Sequence, residues 1–242
     1  MASGIISFPI LTRIFTKYEY GLMSLLTVTA TIIGSIASLG ANRSLVRFYH
    51  NYKKKNQVTT FFGTLASSLF LSGMSAILFA TLVTRLLLIW GIVSDDFYSL
   101  LPFAMVWIIL QNLFMYMYTI YRLEEQVFIY NLLGIFRKYA GMITAIVLVV
   151  IFHNLHSFYY GQIAVEFILV VLLIFLIYKK FGPFIAQIPS KKILTESFKY
   201  GFPLAISGIS FRIFNMGDRY VIAHFLNVEQ VASYSVAYMI CN

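Results

Sequence analysis

YGFPLAISGISFRIFNMGDRYVIAHF, residues 200–225, is long enough to cross a bilayer, yet it carries four side chains that hydrocarbon rejects: Arg212, Asn215, Asp218 and Arg219. A crossing helix needs about 20 predominantly apolar residues, and a charge at mid-bilayer costs about 2.5–3.5 kcal/mol even on the lenient insertion scale. Arg212, Asn215 and Arg219 are spaced i, i+3, i+7, so on a continuous helix they share one face. Phe202, Leu204, Ile206, Ile209, Phe211, Phe214, Val221 and Ile222 are then free to meet lipid or neighbouring helices. A polar stripe on an apolar rod points to a solvated path between membrane helices.

The rest of the chain agrees. Of 242 residues, 60% are hydrophobic and 11% charged, with a mean hydropathy of +0.82; soluble domains run near 45–50% apolar and about 25% charged. The chain reads as an integral membrane protein. Its net charge of +9 sits mostly in short connectors, where Lys and Arg orient spans. No continuous basic face with interleaved aromatics argues for nucleic acid. Cys241 is the single cysteine, which excludes an intrachain disulfide and a cysteine metal cluster. Residues 1–15 lack a basic leader and contain Pro9, so they read as a shortened first span rather than a cleaved signal peptide.

Apolar runs occupy residues 5–15, 21–40, 61–83, 98–121, 127–152, 158–178 and 200–225, with another starting at Ala232. Placing the N-terminus inside puts connectors 41–60, 122–126 and 179–199 in the cytoplasm, with Arg43, Arg47, Lys53, Lys54, Lys55, Arg122, Lys179, Lys180, Lys191, Lys192 and Lys199. Outer connectors hold Arg13, Lys17 and Arg85, beside Asp95 and Asp96, as the positive-inside rule requires. Trp90, Tyr98, Tyr121, Tyr159, Tyr160, Tyr178 and Tyr200 fall near run ends, where aromatic belts form. An internal echo aligns residues 15–24 with 226–235 at an offset of 211, Ser24 matching Ser235. Repeated bundles leave such echoes, and so do unrelated interfacial turns.

At these two junctions, in LTRIFTKYEYG (residues 11–21) and in GDRYVI continuing to YSVAY (residues 217–222 and 234–238), the chain resembles the polysaccharide-transporter branch of the multidrug/oligosaccharidyl-lipid/polysaccharide flippase superfamily. The span pattern of residues 21–199 also fits, so the resemblance covers nearly the whole chain. It implies an all-α polytopic membrane bundle of two parallel six-helix lobes that moves lipid-linked oligosaccharide across the bacterial cytoplasmic membrane by alternating access, without a cofactor. Residues 1–193 then form the first lobe and residues 194–242 a truncated beginning of the second, an N-terminal fragment that is incomplete for transport. The resemblance also implies a sensitive arginine at the first junction, which Arg13 matches; an anchor to headgroups is its other reading.

A lipid-linked sugar carries a pyrophosphate, which needs cationic groups along its path; arginine stays charged and grips phosphate bidentately. Arg212 and Arg219 are the first candidates, with Asp218 as counter-ion or coupling group and Asn215 beside them. Arg137 and Lys138 interrupt the run at 127–152: either they face a cavity, or the crossing begins only near Tyr139. Glu166 lies about 12 Å along its helix from Phe158, to pair with an arginine, to take up a coupling ion or to pack as the neutral acid. Gln111 and Asn112 offer a polar face for sugar hydroxyls or for interhelical bonds. Small polar stripes, Thr27/Thr31/Ser35/Ser38 and Thr64/Ser68/Ser72/Ser75, mark close packing more often than a groove. His153 and His156 lack a third metal ligand.

No phosphate-binding glycine loop followed by Lys-Ser or Lys-Thr occurs, and no nucleophile elbow, so transport would draw on a proton or sodium gradient. The competing readings are a membrane glycan polymerase or transferase of the same pathway, and a non-transporting assembly partner. The first normally needs a sizeable extramembrane region, and connectors here reach only about 20 residues.

Overall fold

A computed structural model describes residues 13–184 and 188–241. The expected first crossing at 5–15 lies largely outside them. Among the described residues the chain is helical and without strands: α1 (Lys17–Ala37), α2 (Ala41–Lys54), α3 (Val58–Ile89), α4 (Asp95–Leu123), α5 (Val127–Phe152), α6 (Leu155–Phe181), α7 (Lys191–Met216), α8 (Asp218–Phe225) and α9 (Val228–Cys241). This is a polytopic all-α bundle.

Helix starts follow local side-chain chemistry. Thr16 and Glu19 form a capping box at α1: Thr16 Oγ1 accepts from the Glu19 N–H at 3.2 Å and Glu19 Oε2 accepts from the Thr16 N–H at 2.9 Å. Ser94 and Asn154 cap α4 and α6 by accepting from Phe97 and Ser157 amides at 3.3 and 2.8 Å. Asp95 and Asp96 add charge favourable to the N-terminal dipole of α4. Thr16→Ala is expected to lower unfolding stability by about 0.5–2 kcal/mol, read as an earlier denaturant midpoint; an unchanged midpoint would show that the cap carries no stability.

Among the described residues, five segments are long and apolar enough to cross a membrane: Lys17–Lys54, Val58–Ile89, Asp95–Leu123, Val127–Phe152 and Leu155–Phe181. The first is two helices. Leu39 and Gly40 adopt left-handed φ of 47° and 73° and turn the chain into α2, an amphipathic helix inside the expected basic connector 41–60. Its Leu45, Tyr49 and Tyr52 are buried, Tyr52 stacking on Phe61 at 4.5 Å between centroids. The expected crossing at 200–225 does not reach membrane length and hydropathy as one segment. It opens within α7, which starts on Lys191, Lys192, Glu196 and Lys199, and it is interrupted at Gly217, where α8 begins.

α4 is central, touching α1, α2, α3, α5 and α6. Two apolar clusters fill the bundle. One joins α2 through α6 around Tyr49, Phe62, Phe114 and Leu169; the other joins α1, α4, α5, α6 and α9 around Leu26, Met105, Val149, Tyr159 and Ala232. Outward faces are apolar as well, with Phe79, Phe128, Ile151, Phe175 and Phe214 exposed, the pattern of helices solvated by lipid. α7 and α8 run antiparallel to α1: Gly40 meets Gly201 and Thr29 meets Tyr220. α9 packs along α1, and the two serines of the internal echo touch, Ser24 Oγ lying 2.8 Å from Ser235 Oγ.

Candidate functional site

The break at Gly217 decides where the charged stripe goes. Gly217 ends α7 and caps α8, so Arg212 and Asn215 close one helix while Asp218 and Arg219 open the next, although Gly217 itself keeps right-handed helical dihedrals of −69° and −22°. Asn215 is turned onto its own helix, its Nδ2–H donating to the Phe211 carbonyl at 2.7 Å. Asp218 is not the ion-pair partner of Arg219. Its Oδ1 accepts from the Arg219 backbone N–H at 2.9 Å and its Oδ2 from the Tyr234 hydroxyl on α9. The Arg219 guanidinium lies 5.6 Å from the centre of the Tyr238 ring, a cation–π contact, and its buried Nε has no hydrogen-bond acceptor.

Arg212 is exposed and makes no hydrogen bond or ion pair among the described residues. Sequence reading missed its neighbour. Arg43, in the first turn of α2, reaches across α7 so closely that a Cβ at Gly208 would lie 2.8 Å from its Nη2. Gly208 is one turn before Arg212, so Arg43 and Arg212 mark the same side of α7. The available signal was the spacing Ser197, Gly201, Gly208, a small-residue stripe that lets another segment approach. Ser44 Oγ donates to the Ser197 carbonyl at 2.8 Å at that crossing.

The second charged cluster lies inside the bundle. Arg137 Nε on α5 donates to Glu166 Oε1 on α6 at 2.7 Å. The guanidinium sits 4.9 Å from the centre of the Phe114 ring on α4, and Glu166 is 3% exposed, its Oε2 without a hydrogen-bond partner. Phe128, Leu132, Ile135 and Phe136 before Arg137, like Ile143 and Val147 after it, are exposed apolar residues. Exposed apolar residues thus run through the level of Arg137, and Val127–Phe152 as a whole is long and apolar enough to cross a membrane. Lys138 is exposed and unpaired among the described residues.

Arg13 is exposed just ahead of the Thr16 cap. Asn112 holds helices together, donating from Nδ2 to the Gly34 carbonyl at 3.0 Å; Gln111 is half-buried beside it. Thr27 and Ser35 bond carbonyls of their own helix, and Ser72 reaches the Ala37 carbonyl at 2.6 Å, so these stripes mainly serve packing. Ser72 and Ser75 also line, with Thr29, Thr84, Phe79 and Tyr220, a mostly apolar cavity of about 830 Å³ between α1, α3 and the start of α4. Neither Arg212 nor Arg219 lines it. His153 ends α5 in a left-handed conformation and His156 packs on Phe103; among the described residues no group of three His, Cys, Asp or Glu could hold a metal.

Comparison with known proteins gives one family: the model for polysaccharide biosynthesis proteins matches residues 2–242. No curated protein and no solved structure matches.

Proposed function

The chain belongs to the polysaccharide biosynthesis protein family, and on that premise we propose that it acts in flipping lipid-linked oligosaccharide across the bacterial cytoplasmic membrane, with its N-terminus inside and a proton or sodium gradient as driving force. Arg219 carries this reading. It is a half-buried cation among apolar helices, with no carboxylate partner among the described residues and a buried Nε lacking an acceptor. Buried charges are normally paired and hydrogen-bonded. An arginine left open in this way is suited to receive an anion, and the phosphate between lipid and sugar is the anion such a substrate supplies.

In this reading Arg43 and Arg212, on one side of α7, guide the head group along the helix, and Arg219 grips it beside Tyr238. Asp218 and Glu166 are the acidic groups available for ion coupling, the former joined to α9 through Tyr234, the latter joined to α5 through Arg137. Residues 1–193 form one lobe and 194–242 begin a second; the direct contact of Ser24 with its echo partner Ser235 supports two related lobes meeting at α1 and α9.

The test is transport in proteoliposomes with a fluorescent lipid-linked oligosaccharide. Arg219→Ala is expected to slow flipping about 10- to 100-fold, the loss of one or two hydrogen bonds to a charged group, with partial recovery in Arg219→Lys. An unchanged rate in Arg219→Ala would remove the arginine from the pathway and the proposal with it.

A further inference from the structure

At the end of the bundle where α2 turns into α3 and α7 begins, Tyr52, Lys55, Gln57, Thr60, Ser190 and Lys192 line, with Ile193, a recess of about 230 Å³. Its two ammonium groups are not ion-paired among the described residues; the cations that are paired are Lys53 and Lys180, both on Glu124, and Arg137. Lys55 Nζ lies 5.7 Å from the centre of the Tyr52 ring, which holds its stem against the wall. The carboxylate beside the recess, Glu196, accepts from the Tyr52 hydroxyl at 2.7 Å, and a single carboxylate leaves the two lysines in surplus.

The walls are tied in place before any ligand arrives. Thr64 Oγ1 accepts from the Ser190 N–H at 3.1 Å, and Thr59 Oγ1 donates to the Phe181 carbonyl at 3.2 Å, joining the starts of α3 and α7 and the end of α6. α3 is long and apolar enough to cross a membrane from Val58 onward, so the recess lies at the end of a membrane-length helix, the level at which headgroup phosphates meet such a helix. Ammonium groups, hydroxyls and a carboxamide in one concavity favour a compact, oxygen-rich anion.

The geometry points to a phosphate-binding site at this junction, separate from the arginines of α7 and α8 and independent of the function proposed for them. A phosphate there contacts the α2–α3 turn and the first turn of α7 together, fastening one to the other. Two sources share this chemistry: the headgroup of an anionic phospholipid and free inorganic phosphate.

Native mass spectrometry of the protein in a neutral detergent, titrated with short-chain phosphatidylglycerol, short-chain phosphatidylcholine or inorganic phosphate, tests the site and separates the sources. Saturable phosphatidylglycerol binding is expected, weakened about fivefold by Lys55→Gln and again by Lys192→Gln. Binding should be kept in Lys192→Arg and in Arg122→Gln, which removes an exposed cation outside the recess. Displacement of the lipid by millimolar inorganic phosphate, with the same response to the lysine variants, assigns the site to free phosphate; resistance to it assigns the site to the lipid. Equal affinity for the zwitterionic phosphatidylcholine, or unchanged binding in the double lysine variant, would overturn the proposal.

Discussion

Glu166→Leu is expected to cost about 3–5 kcal/mol of unfolding free energy, because it strands the Arg137 guanidinium against Phe114 with no anion to balance it. The carboxylate is 3% exposed and accepts from Arg137 at 2.7 Å, so water cannot take its place. Replacing both partners by apolar residues of similar size removes the desolvation penalty along with the attraction, and such exchanges are often neutral or stabilising. Arg137→Met combined with Glu166→Leu should therefore recover most of the loss. Denaturant titration in mixed micelles of both single variants and the double closes the thermodynamic cycle; a double variant as unstable as the sum of the singles would show that the two groups do not act as a pair. The same double variant separates structure from transport. If it folds and still flips substrate, the pair serves packing; if it folds and flips nothing, the coupling role proposed for Glu166 gains its support.

The second large effect belongs to Gly40. Its φ of 73° is left-handed, and a Cβ there would collide with the backbone of Gly201, which cannot swing away as a side chain does. Gly91 is a built-in control: its φ is 70°, and nothing lies within 4 Å of a Cβ placed on it. Gly91→Ala should cost only the left-handed strain, about 1–2 kcal/mol. Gly40→Ala should cost that and about 1–3 kcal/mol more for forcing α2 away from α7. Equal losses at the two positions, measured by the same unfolding titration, would mean that the crossing adjusts freely.

Much of this architecture is legible from hydropathy. The apolar runs at 61–83, 98–121, 127–152 and 158–178 fall within α3, α4, α5 and α6, because lipid and core both select apolar side chains and a spanning helix has a required length. Legibility fails where local pattern and global composition disagree. Leu45, Tyr49 and Tyr52 repeat at helical spacing within a segment whose Arg and Lys invite reading it only as a charged connector, yet they build α2. The run at 200–225 is apolar enough to look continuous, and a single glycine at 217 divides it. Among the candidate residues, Glu166 and Arg137 were each conspicuous, but their pairing depends on the relative rotation of α5 and α6, which no spacing along one helix encodes. Arg43 was hidden for the same reason, since its reach is visible only once α2 lies across Gly208.

The meeting of α1 and α9 constrains how they can move. Gly21 admits the Val228 carbonyl so closely that any side chain there would collide with it, and Ser24 and Ser235 join hands one turn away. Shifting one rod lengthwise by a turn would drive Leu25 or Lys17 into that carbonyl, so slippage is barred. The two contacts sit at different levels of α9, so together they lock the register of the paired rods as a key does in a slot rather than leaving a sliding rail.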